Sequence, residues 1–361
     1  MAEQQPNPIA DELLGRLTAS PDVYPQKIDL VGQSVLLIRF GAAAYRAASF
    51  LDDRILAQDT QGAWLPVDRV EPAAGRMSDP RPLHYIFHTG HVGSTLVSRL
   101  LDETGEVLSL REPLPLRTLA DAHDVLALPE SLFSDSQFER LLAMCTRLWR
   151  RGYAPTRSVV LKATSSAGRM AGALLRHTEG SRAVYMNLRA EPYLVTLLAG
   201  QNSPLDLRGH GQGRIRRLQA RLAAPLSPLH ALSQGELAAM SWLAESWAQD
   251  DAVAQHPDRV MTLDFDRFLA NVEPSLGRVL GHFGLSVDAH RLSGLARSPV
   301  LTHYSKAPEY AYTPEARTEI LNQSRQANGQ EIRNGMAWLE RIARSDAAAA
   351  AVVDRTDRRE H

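Results

Sequence analysis

Short apolar runs alternate with amphipathic segments through the middle of this 361-residue chain. Five runs rich in Val, Leu, Ile and aromatic residues predict strands, and they lie at residues 84–89, 106–110, 158–164, 182–188 and 259–265. After the first run, apolar residues recur at positions 96, 97, 100 and 101, which is helical spacing. Strands that are apolar on both faces and separated by helices are typical of a parallel sheet covered on both sides. The pattern therefore predicts an α/β domain.

The N-terminal part of the chain follows a different pattern. It contains an apolar, β-branched run at 27–40 and a helix-like segment at 43–56, and it ends at the proline-containing sequence DPRP. Prolines in such a cluster mark a boundary between structural elements. We therefore expect residues 1–82 to form a small α+β extension before a main domain at 83–350.

The second half of the chain contains an unusual stretch and a helical end. Residues 202–235 begin as NSPLDLRGHGQG and continue as the basic RIRRLQARL, which predicts a mobile insertion or lid or, alternatively, a solvated basic helix. Helical periodicity then dominates residues 314–326 and 330–353. Terminal residues are often poorly ordered, so we expect 351–361 to form a frayed tail.

Composition and charge are those of an ordinary globular protein. Hydrophobic residues make up 44% and charged residues 22%, and the 40 basic and 41 acidic side chains leave a formal net charge of −1. This balance gives no electrostatic argument for nucleic acid or an anionic membrane as a partner. The single cysteine, Cys145, excludes an internal disulfide and a cysteine zinc site, and its apolar surroundings predict a core position.

Targeting signals are not evident in the sequence. The N-terminal residues lack the basic and apolar regions of a signal peptide. The apolar runs are far shorter than the ~20 residues that a membrane helix needs. We therefore expect a cytoplasmic protein without membrane insertion, and the pattern does not indicate its oligomeric state.

The stretch FHTGHVGSTL at 87–96 connects the first predicted strand to the first predicted helix. Gly90 and Gly93 permit a tight turn in which backbone N–H groups approach an anion, and the helix N-terminus adds its positive dipole end. Ser94 and Thr95 supply hydroxyl donors in the first helical turn. Together these features predict a cradle for a phosphate or sulfate group, with a plain strand-to-helix turn as the alternative.

This stretch does not match the ATP-binding pattern G-x-x-x-x-G-K-[ST]. If Gly93 is the second glycine of that pattern, His88 stands at the first glycine and Ser94 at the lysine. No acidic residue at a strand end is obviously placed to hold Mg²⁺. A kinase-like phosphotransferase is therefore the less favoured alternative.

Four stretches, in the same order along the chain, resemble sulfotransferases that use 3′-phosphoadenosine 5′-phosphosulfate (PAPS). They are TGHVGSTLVSRLLDE with EVLSLREPLPLR, VVLKATSS, AVYMNLRAEPYLVTLLAG, and HPDRVMTLDFDRFLANVEPSLGRVLGHFGL, and the resemblance covers roughly 83–345. The loop and the glutamate region are most similar to tyrosylprotein-type sulfotransferases. The resemblance implies a P-loop-like α/β fold and transfer of a sulfuryl group to a hydroxyl or amine of a small-molecule or peptide acceptor.

Three residues match catalytic positions of the family. The resemblance implies that Glu112 is the general base and that Lys162, at the end of the third strand, faces the sulfate. The alternatives are that Glu112 is a plain ion-pair partner of the adjacent Arg111 and that Lys162 extends to solvent. His91 stands where the family has Lys or Arg; a bound anion would favour its protonated form, although a surface loop histidine is the alternative. Arg117 is a candidate second anion contact.

The remaining candidates concern the nucleotide. The 5′-phosphosulfate would lie on Gly90, Gly93, Ser94 and Thr95. Arg189, a bidentate donor, is the candidate for the 3′-phosphate.

Thr196 is a weaker candidate for the 3′-phosphate, and Lys306 is a late basic loop candidate. Arg189 and Thr196 are one residue closer together than the Arg and Ser of the family, and Phe265 replaces a common tyrosine. These departures leave open a non-catalytic nucleotide-binding or scaffold relative. We predict no metal site.

Overall fold

The computed structural model describes residues 7–307 and 309–358 of the chain. By their contacts, the described residues form two compact units. One contains the N-terminal extension, the first residues of the main domain as far as Ile86, and Val97–Ala183; the other contains Phe87–Leu96 and the chain from Val184 onward.

The extension forms a small antiparallel sheet with helices, as its α+β pattern predicts. Its elements are α1 (Pro8–Arg16), β1 (Val23–Asp29), β2 (Ser34–Arg39), α2 (Ala42–Ala47), β3 (Gly62–Pro66) and α3 (Val67–Gly75), and the strand order is β1-β2-β3. Asp29 closes the β1–β2 turn because its carboxylate accepts from the backbone N–H groups of Val31 and Gly32. The single 27–40 run of the sequence is thus the end of β1, the turn and β2.

The five predicted strands of the main domain are confirmed. They are β4 (Leu83–His88), β5 (Val107–Arg111), β6 (Ser158–Lys162), β7 (Ala183–Asn187) and β8 (Val260–Asp264), in the sheet order β5-β6-β4-β7-β8. The strands β4 and β5 both pair with β6 in parallel. Every residue of β4 to β7 is buried, which explains the absence of apolar–polar alternation in those runs.

Helices flank this sheet and form the C-terminal part of the chain. They are α4 (Ser94–Asp102), α5 (Leu114–Asp124), α6 (Asp135–Trp149), α7 (Ala171–His177), α8 (Ala190–Leu198), α9 (Ser203–Gly209), α10 (Gly211–Gln219), α11 (Gln234–Gln255), α12 (Phe265–Ala270), α13 (Val272–His282), α14 (Ala289–Leu295), α15 (Pro314–Ala327), α16 (Gly329–Ser345) and α17 (Ala347–Arg358). The predicted α/β fold with a parallel sheet flanked by helices, an N-terminal extension and a helical C-terminus is confirmed.

The predicted helix at 43–56 is wrong beyond its first turns. Helix α2 ends at Ala47, and Ala48 already has extended backbone angles. The guanidinium of Arg111 donates to the carbonyl oxygens of Tyr45 (2.9 Å) and Ala48 (2.8 Å), and the N–H of Leu51 donates to the carbonyl of Arg111 (2.7 Å). These tertiary hydrogen bonds outweigh the modest helix propensity of the segment.

The predicted frayed tail at 351–361 needs a similar correction. Helix α17 continues through Arg358, and residues 359–361 lie outside the described residues. Val352 is fully buried, and the guanidinium of Arg355 pairs with Asp250 of α11 at 2.8 Å. Burial of one face and this ion pair stabilise the helix where composition alone indicated fraying.

The basic part of the 202–235 stretch is anchored by a buried carboxylate. Arg214 Nε and Arg217 Nη2 of α10 donate to Glu245 Oε1 of α11, at 3.0 and 2.9 Å. Arg214 is 2% exposed and Glu245 is fully buried, so Arg214 is not solvated. Burial raises the pKa of Glu245, but the two arginines outweigh that effect and hold the pKa below its usual value.

We predict that Glu245→Gln lowers the free energy of unfolding by about 3–5 kcal/mol, because the buried guanidinium of Arg214 and the half-buried one of Arg217 lose their counter-ion. The pKa of Glu245 is lowered in the folded state, so its stabilisation is present at neutral pH and is lost as pH falls through the acidic range. The difference between the wild type and the variant should therefore shrink on acidification. Urea unfolding at a series of pH values measures it.

The control is Glu340→Gln, which breaks an exposed pair with Arg344 in α16 and should cost at most about 1 kcal/mol. Equal losses for the two variants would show that the Glu245 cluster does not stabilise α10 against α11.

Candidate functional site

The predicted anion loop follows β4 in the second compact unit. The N–H of Thr89 donates to the carbonyl of Met186 at 3.1 Å and extends the strand pairing by one residue. Backbone φ is then +108° at Gly90, +54° at His91 and +69° at Gly93. Left-handed residues in succession are typical of the backbone concavities that bind anions through N–H groups. The loop therefore has the conformation that its glycines predict.

Gly93 is required for a second reason. A Cβ atom built on Gly93 would lie 1.9 Å from Cε2 of Phe265, so the ring of the first residue of α12 occupies the space of a side chain. The guanidinium of Arg317 lies 5.4 Å from the centre of the Phe265 ring and pairs with Asp266 at 2.7 Å. Phe265 thus packs directly on the loop, and the sequence carries no signal for this contact.

The hydroxyl groups around the loop are buried. Thr89, Ser94 and Thr95 are all less than 5% exposed. Within residues 7–307 and 309–358, the Oγ1 atoms of Thr89 and Thr95 have no hydrogen-bond partner. A buried hydroxyl without a partner carries an unfavourable desolvation free energy unless a ligand or water satisfies it. A phosphate or sulfate oxygen accepts from such donors, so the chemistry of these residues fits an anion of that kind. Thr89 was not among the residues predicted from the sequence, although it directly follows the last residue of β4.

His91 lies beside the turn after α8. A Cβ atom built on Gly200 would lie 3.9 Å from Cε1 of His91, and the side chain of His91 is half-buried. His91 is therefore packed against the end of a helix rather than standing free on a surface loop. His88, the last residue of β4, is buried.

Glu112 and Lys162 lie together in the first compact unit. The Nζ atom of Lys162 donates to Oε1 of Glu112, and the backbone N–H of Glu112 donates to the carbonyl of Lys162 at 2.6 Å. The side chains are 12% and 1% exposed. Two parallel strands in register produce this pair, because Arg111 of β5 lies opposite Lys162 of β6 and Glu112 follows directly. Lys162 therefore does not extend to solvent.

Glu112 adopts a conformation that is rare for its residue type. Its φ is +54°, which glycine tolerates far better than glutamate does. Such local strain of order 1–3 kcal/mol persists only where the surroundings enforce it, and it is concentrated at functional sites. The strand-to-helix turn at Glu112 is therefore a site candidate from its backbone alone.

Arg111 does not pair with Glu112. Its guanidinium, 1% exposed, pairs instead with Asp102 at the end of α4. Arg117, on the first turns of α5, has a buried Nε without a hydrogen-bond partner among the described residues. The ion-pair alternative for Glu112 is thus realised with Lys162 and not with its neighbour.

The candidates for the 3′-phosphate lie on α8. Arg189 directly precedes the helix as its N-cap residue and is exposed. Burial raises the pKa of Asp264, whereas the positive charge of Arg189 acts in the opposite direction, which places the two groups within electrostatic reach. Thr196 donates its hydroxyl hydrogen to the carbonyl of Pro192 at 2.8 Å, so that donor is already used within the helix.

Lys306 lies in a loop closed by an antiparallel bridge between His303 and Ala311. It is half-buried. The structure thus brings the loop residues Gly90, His91, Gly93, Ser94 and Thr95 together in one unit, and Glu112 with Lys162 in the other.

Two further observations concern the described part of the chain, residues 7–307 and 309–358. It contains no group of three or more His, Cys, Asp or Glu side chains arranged to hold a metal ion. Within the same ranges, none of the helices combines the length and apolar character that crossing a bilayer requires.

No protein-family model matches the chain, and no curated protein matches it. Solved structures similar to it include mouse sulfotransferase SULT7A1 complexed with PAP, at 8% identity and a TM-score of 0.40 over 79% of this chain and 93% of that chain. The sulfotransferase domain from the curacin biosynthetic pathway has 12% identity and a TM-score of 0.37 over 68% of this chain and 90% of its own. Sulfotransferase STF9 from Mycobacterium avium has 13% identity and a TM-score of 0.35 over 90% and 98%. These similarities are distant.

We predict that Gly93→Ala destabilises the protein more than Gly180→Ala. Both glycines have a φ near +70°, but a Cβ on Gly180 meets nothing within 4 Å, whereas one on Gly93 overlaps the Phe265 ring. Gly180→Ala should cost about 1–2 kcal/mol from backbone strain alone, and Gly93→Ala about 1–3 kcal/mol more from overpacking. Urea unfolding of the two variants measures the difference, and equal losses would contradict the packing of Phe265 on the loop.

Proposed function

We propose that the chain is a sulfotransferase that moves a sulfuryl group from PAPS to a hydroxyl or amine of an acceptor. The observation that carries the proposal is the loop at 89–95. It combines left-handed backbone at Gly90, His91 and Gly93 with buried threonine hydroxyls that have no protein partner among the described residues. The resemblance of the surrounding stretches to sulfotransferases supports a phosphosulfate as the anion.

The loop would hold the 5′-phosphosulfate end of the nucleotide. Backbone N–H groups from Gly90 to Thr95 and the hydroxyls of Thr89, Ser94 and Thr95 are the donors, and the N-terminus of α4 adds its dipole. Bound PAPS supplies the activated sulfuryl group. Arg189 is proposed for the 3′-phosphate, and His91 for positive charge where the family has Lys or Arg. Thr196 and Lys306 are weaker proposals for the same nucleotide.

Glu112 is proposed as the general base that takes the proton of the acceptor. Lys162 orients the carboxylate by donating to one of its oxygens, and the backbone hydrogen bond to the carbonyl of Lys162 holds the turn. An ammonium group has three donors, so Lys162 can orient Glu112 with one and stabilise developing negative charge with another. The strain at Glu112 is consistent with a side chain held for chemistry.

A second candidate function is nucleotide binding without transfer. It is favoured by the direct pairing of Glu112 with Lys162, which engages the proposed base and the proposed cation with each other, and by the internal hydrogen bond of Thr196. An ATP-dependent kinase lacks a comparable observation.

We predict that the full chain binds 3′-phosphoadenosine 5′-phosphate (PAP) and that Arg189→Ala weakens binding by roughly 10- to 100-fold, the usual loss for a charged hydrogen bond. Isothermal titration calorimetry measures the affinity. The control is Arg278→Ala, an exposed arginine on α13 of the same compact unit, which should leave the affinity unchanged. A wild-type protein that gives neither heat nor a thermal shift with PAP would refute the proposed cofactor.

We predict that Glu112→Gln keeps PAP binding but lowers kcat/KM for transfer by about 10²- to 10⁴-fold, because the amide cannot accept the proton. Transfer is followed with radiolabelled PAPS and a panel of phenols, alcohols and amines. Glu103→Gln, an exposed glutamate after α4, is the control. Full transfer by Glu112→Gln would remove it from the base role, and PAP binding without transfer by the wild type would favour the second candidate.

A further inference from the structure

A segment of the N-terminal extension runs beside the turn that carries Glu112. This segment, residues 48–56, begins where α2 ends. The N–H of Leu51 donates to the carbonyl of Arg111 at 2.7 Å, and the N–H of Leu114 donates to the carbonyl of Leu51 at 3.2 Å. One residue of the extension thus bonds to the backbone on both sides of Glu112.

A buried guanidinium fixes the start of the segment. Arg111 donates to the carbonyls of Tyr45 and Ala48 while it pairs with Asp102 of α4. Arg99 adds a hydrogen bond from its guanidinium to the hydroxyl of Ser49 at 2.8 Å. The path of the segment past the Glu112 turn is therefore defined by buried contacts and not by an exposed loop.

The side chains of the segment reach the Glu112–Lys162 pair. The ring centre of Phe50 lies 5.9 Å from Nζ of Lys162, and the guanidinium of Arg54 lies 3.5 Å from the same ring centre. Burial raises the pKa of Asp52, but its hydrogen bonds with Arg54 have the larger effect, so the pKa lies below its usual value. The charge of Glu112 acts to raise this pKa. Asp52 is thus within electrostatic reach of Glu112.

The charges of the segment are already paired. Asp52 pairs with Arg54, and Asp53 pairs with Lys27 at 3.2 Å. Glu112 and Lys162 are also paired with each other. These pairs leave no net charge that would attract a charged acceptor. Apolar surface is what the segment still offers, since Phe50 and Ile55 are half-buried and Leu56 is 38% exposed.

We propose that segment 48–56 is the acceptor-side wall at Glu112, and that Phe50 is a specificity-determining residue for an uncharged acceptor with an apolar body. This inference rests on the proposed sulfotransferase function. The apolar body lies against Phe50, and the hydroxyl that it carries is directed to the carboxylate of Glu112. The hydroxyl oxygen forms the new O–S bond, its proton passes to Glu112, and the S–O bond to the nucleotide phosphate breaks, so PAP is the leaving group.

The test uses radiolabelled PAPS and a series of 4-n-alkylphenols from phenol to 4-octylphenol, with the full-length chain. Burial of each methylene against the wall should raise kcat/KM roughly twofold to fourfold over the first members of the series. In Phe50→Ala this increment should fall, so that 4-butylphenol loses roughly tenfold or more in kcat/KM while phenol changes far less. PAP affinity by calorimetry should be unchanged in the variant.

Matched variants separate specificity from folding. Phe50→Leu keeps an apolar side chain and should retain most of the chain-length increment, whereas Phe50→Gln, of similar reach but polar, should lose it. Trp64→Ala removes a 47% exposed aromatic from β3 of the same extension and should leave the series unchanged. If Phe50→Ala does not fold, the comparison of Phe50→Leu with Phe50→Gln still tests whether an apolar side chain at position 50 determines the preference for long alkyl chains.

The outcomes distinguish this inference from the function on which it rests. A wild-type protein that fails to bind PAP refutes the proposed function. Wild-type protein that binds PAP but sulfates no alkylphenol, or sulfates them with no dependence on chain length, overturns the inference. An equal loss for every phenol in Phe50→Gln and Phe50→Leu would also overturn it, because it would show that Phe50 only supports the fold.

Discussion

The buried guanidinium of Arg111 connects three parts of the first compact unit. It pairs with Asp102 at the end of α4, it belongs to the last residue of strand β5, and it donates to the carbonyls of Tyr45 and Ala48. Removing the carboxylate partner of a charge this deeply buried is strongly destabilising, because it leaves an uncompensated charge in the interior. The extension, the first helix of the main domain and the Glu112 turn therefore depend on one side chain.

The glycine loop at 89–95 and the Glu112 turn both use left-handed backbone shortly after a strand of the parallel sheet. Glu112 follows β5, and His91 lies three residues beyond the end of β4. A carboxyl-edge turn of this kind directs polar groups away from the buried strands, and this is where ligands bind in open α/β sheets. The packing of Phe265 on Gly93 stabilises the conformation of the loop, and the hydrogen bonds between Glu112 and Lys162 stabilise the strained backbone at Glu112.

Strands β4 to β7 were predictable because each is buried on both faces and therefore reads as a nearly continuous apolar run. The glycine loop was predictable because few residues other than glycine adopt its φ values. The end of α2 at Ala47 was not predictable from the helix-like pattern at 43–56. Hydrogen bonds from Arg111, a residue distant in sequence, hold the backbone after Ala47 in a non-helical conformation. The Glu112–Lys162 pair follows from the register of β5 on β6, which a pattern of residue types does not reveal. Phe50 and Phe265 gain their roles only through tertiary contacts.

The packing of Phe265 on Gly93 also has a consequence for biosynthesis. The anion loop lies early in the chain, yet the ring that fills the space above its glycine is added far later. While the chain emerges from the ribosome, the loop has its sequence but not its supporting side chain. The packing of Phe265 on Gly93 therefore forms only after α12 has been made, so a growing chain that ends before α12 lacks this support for the loop.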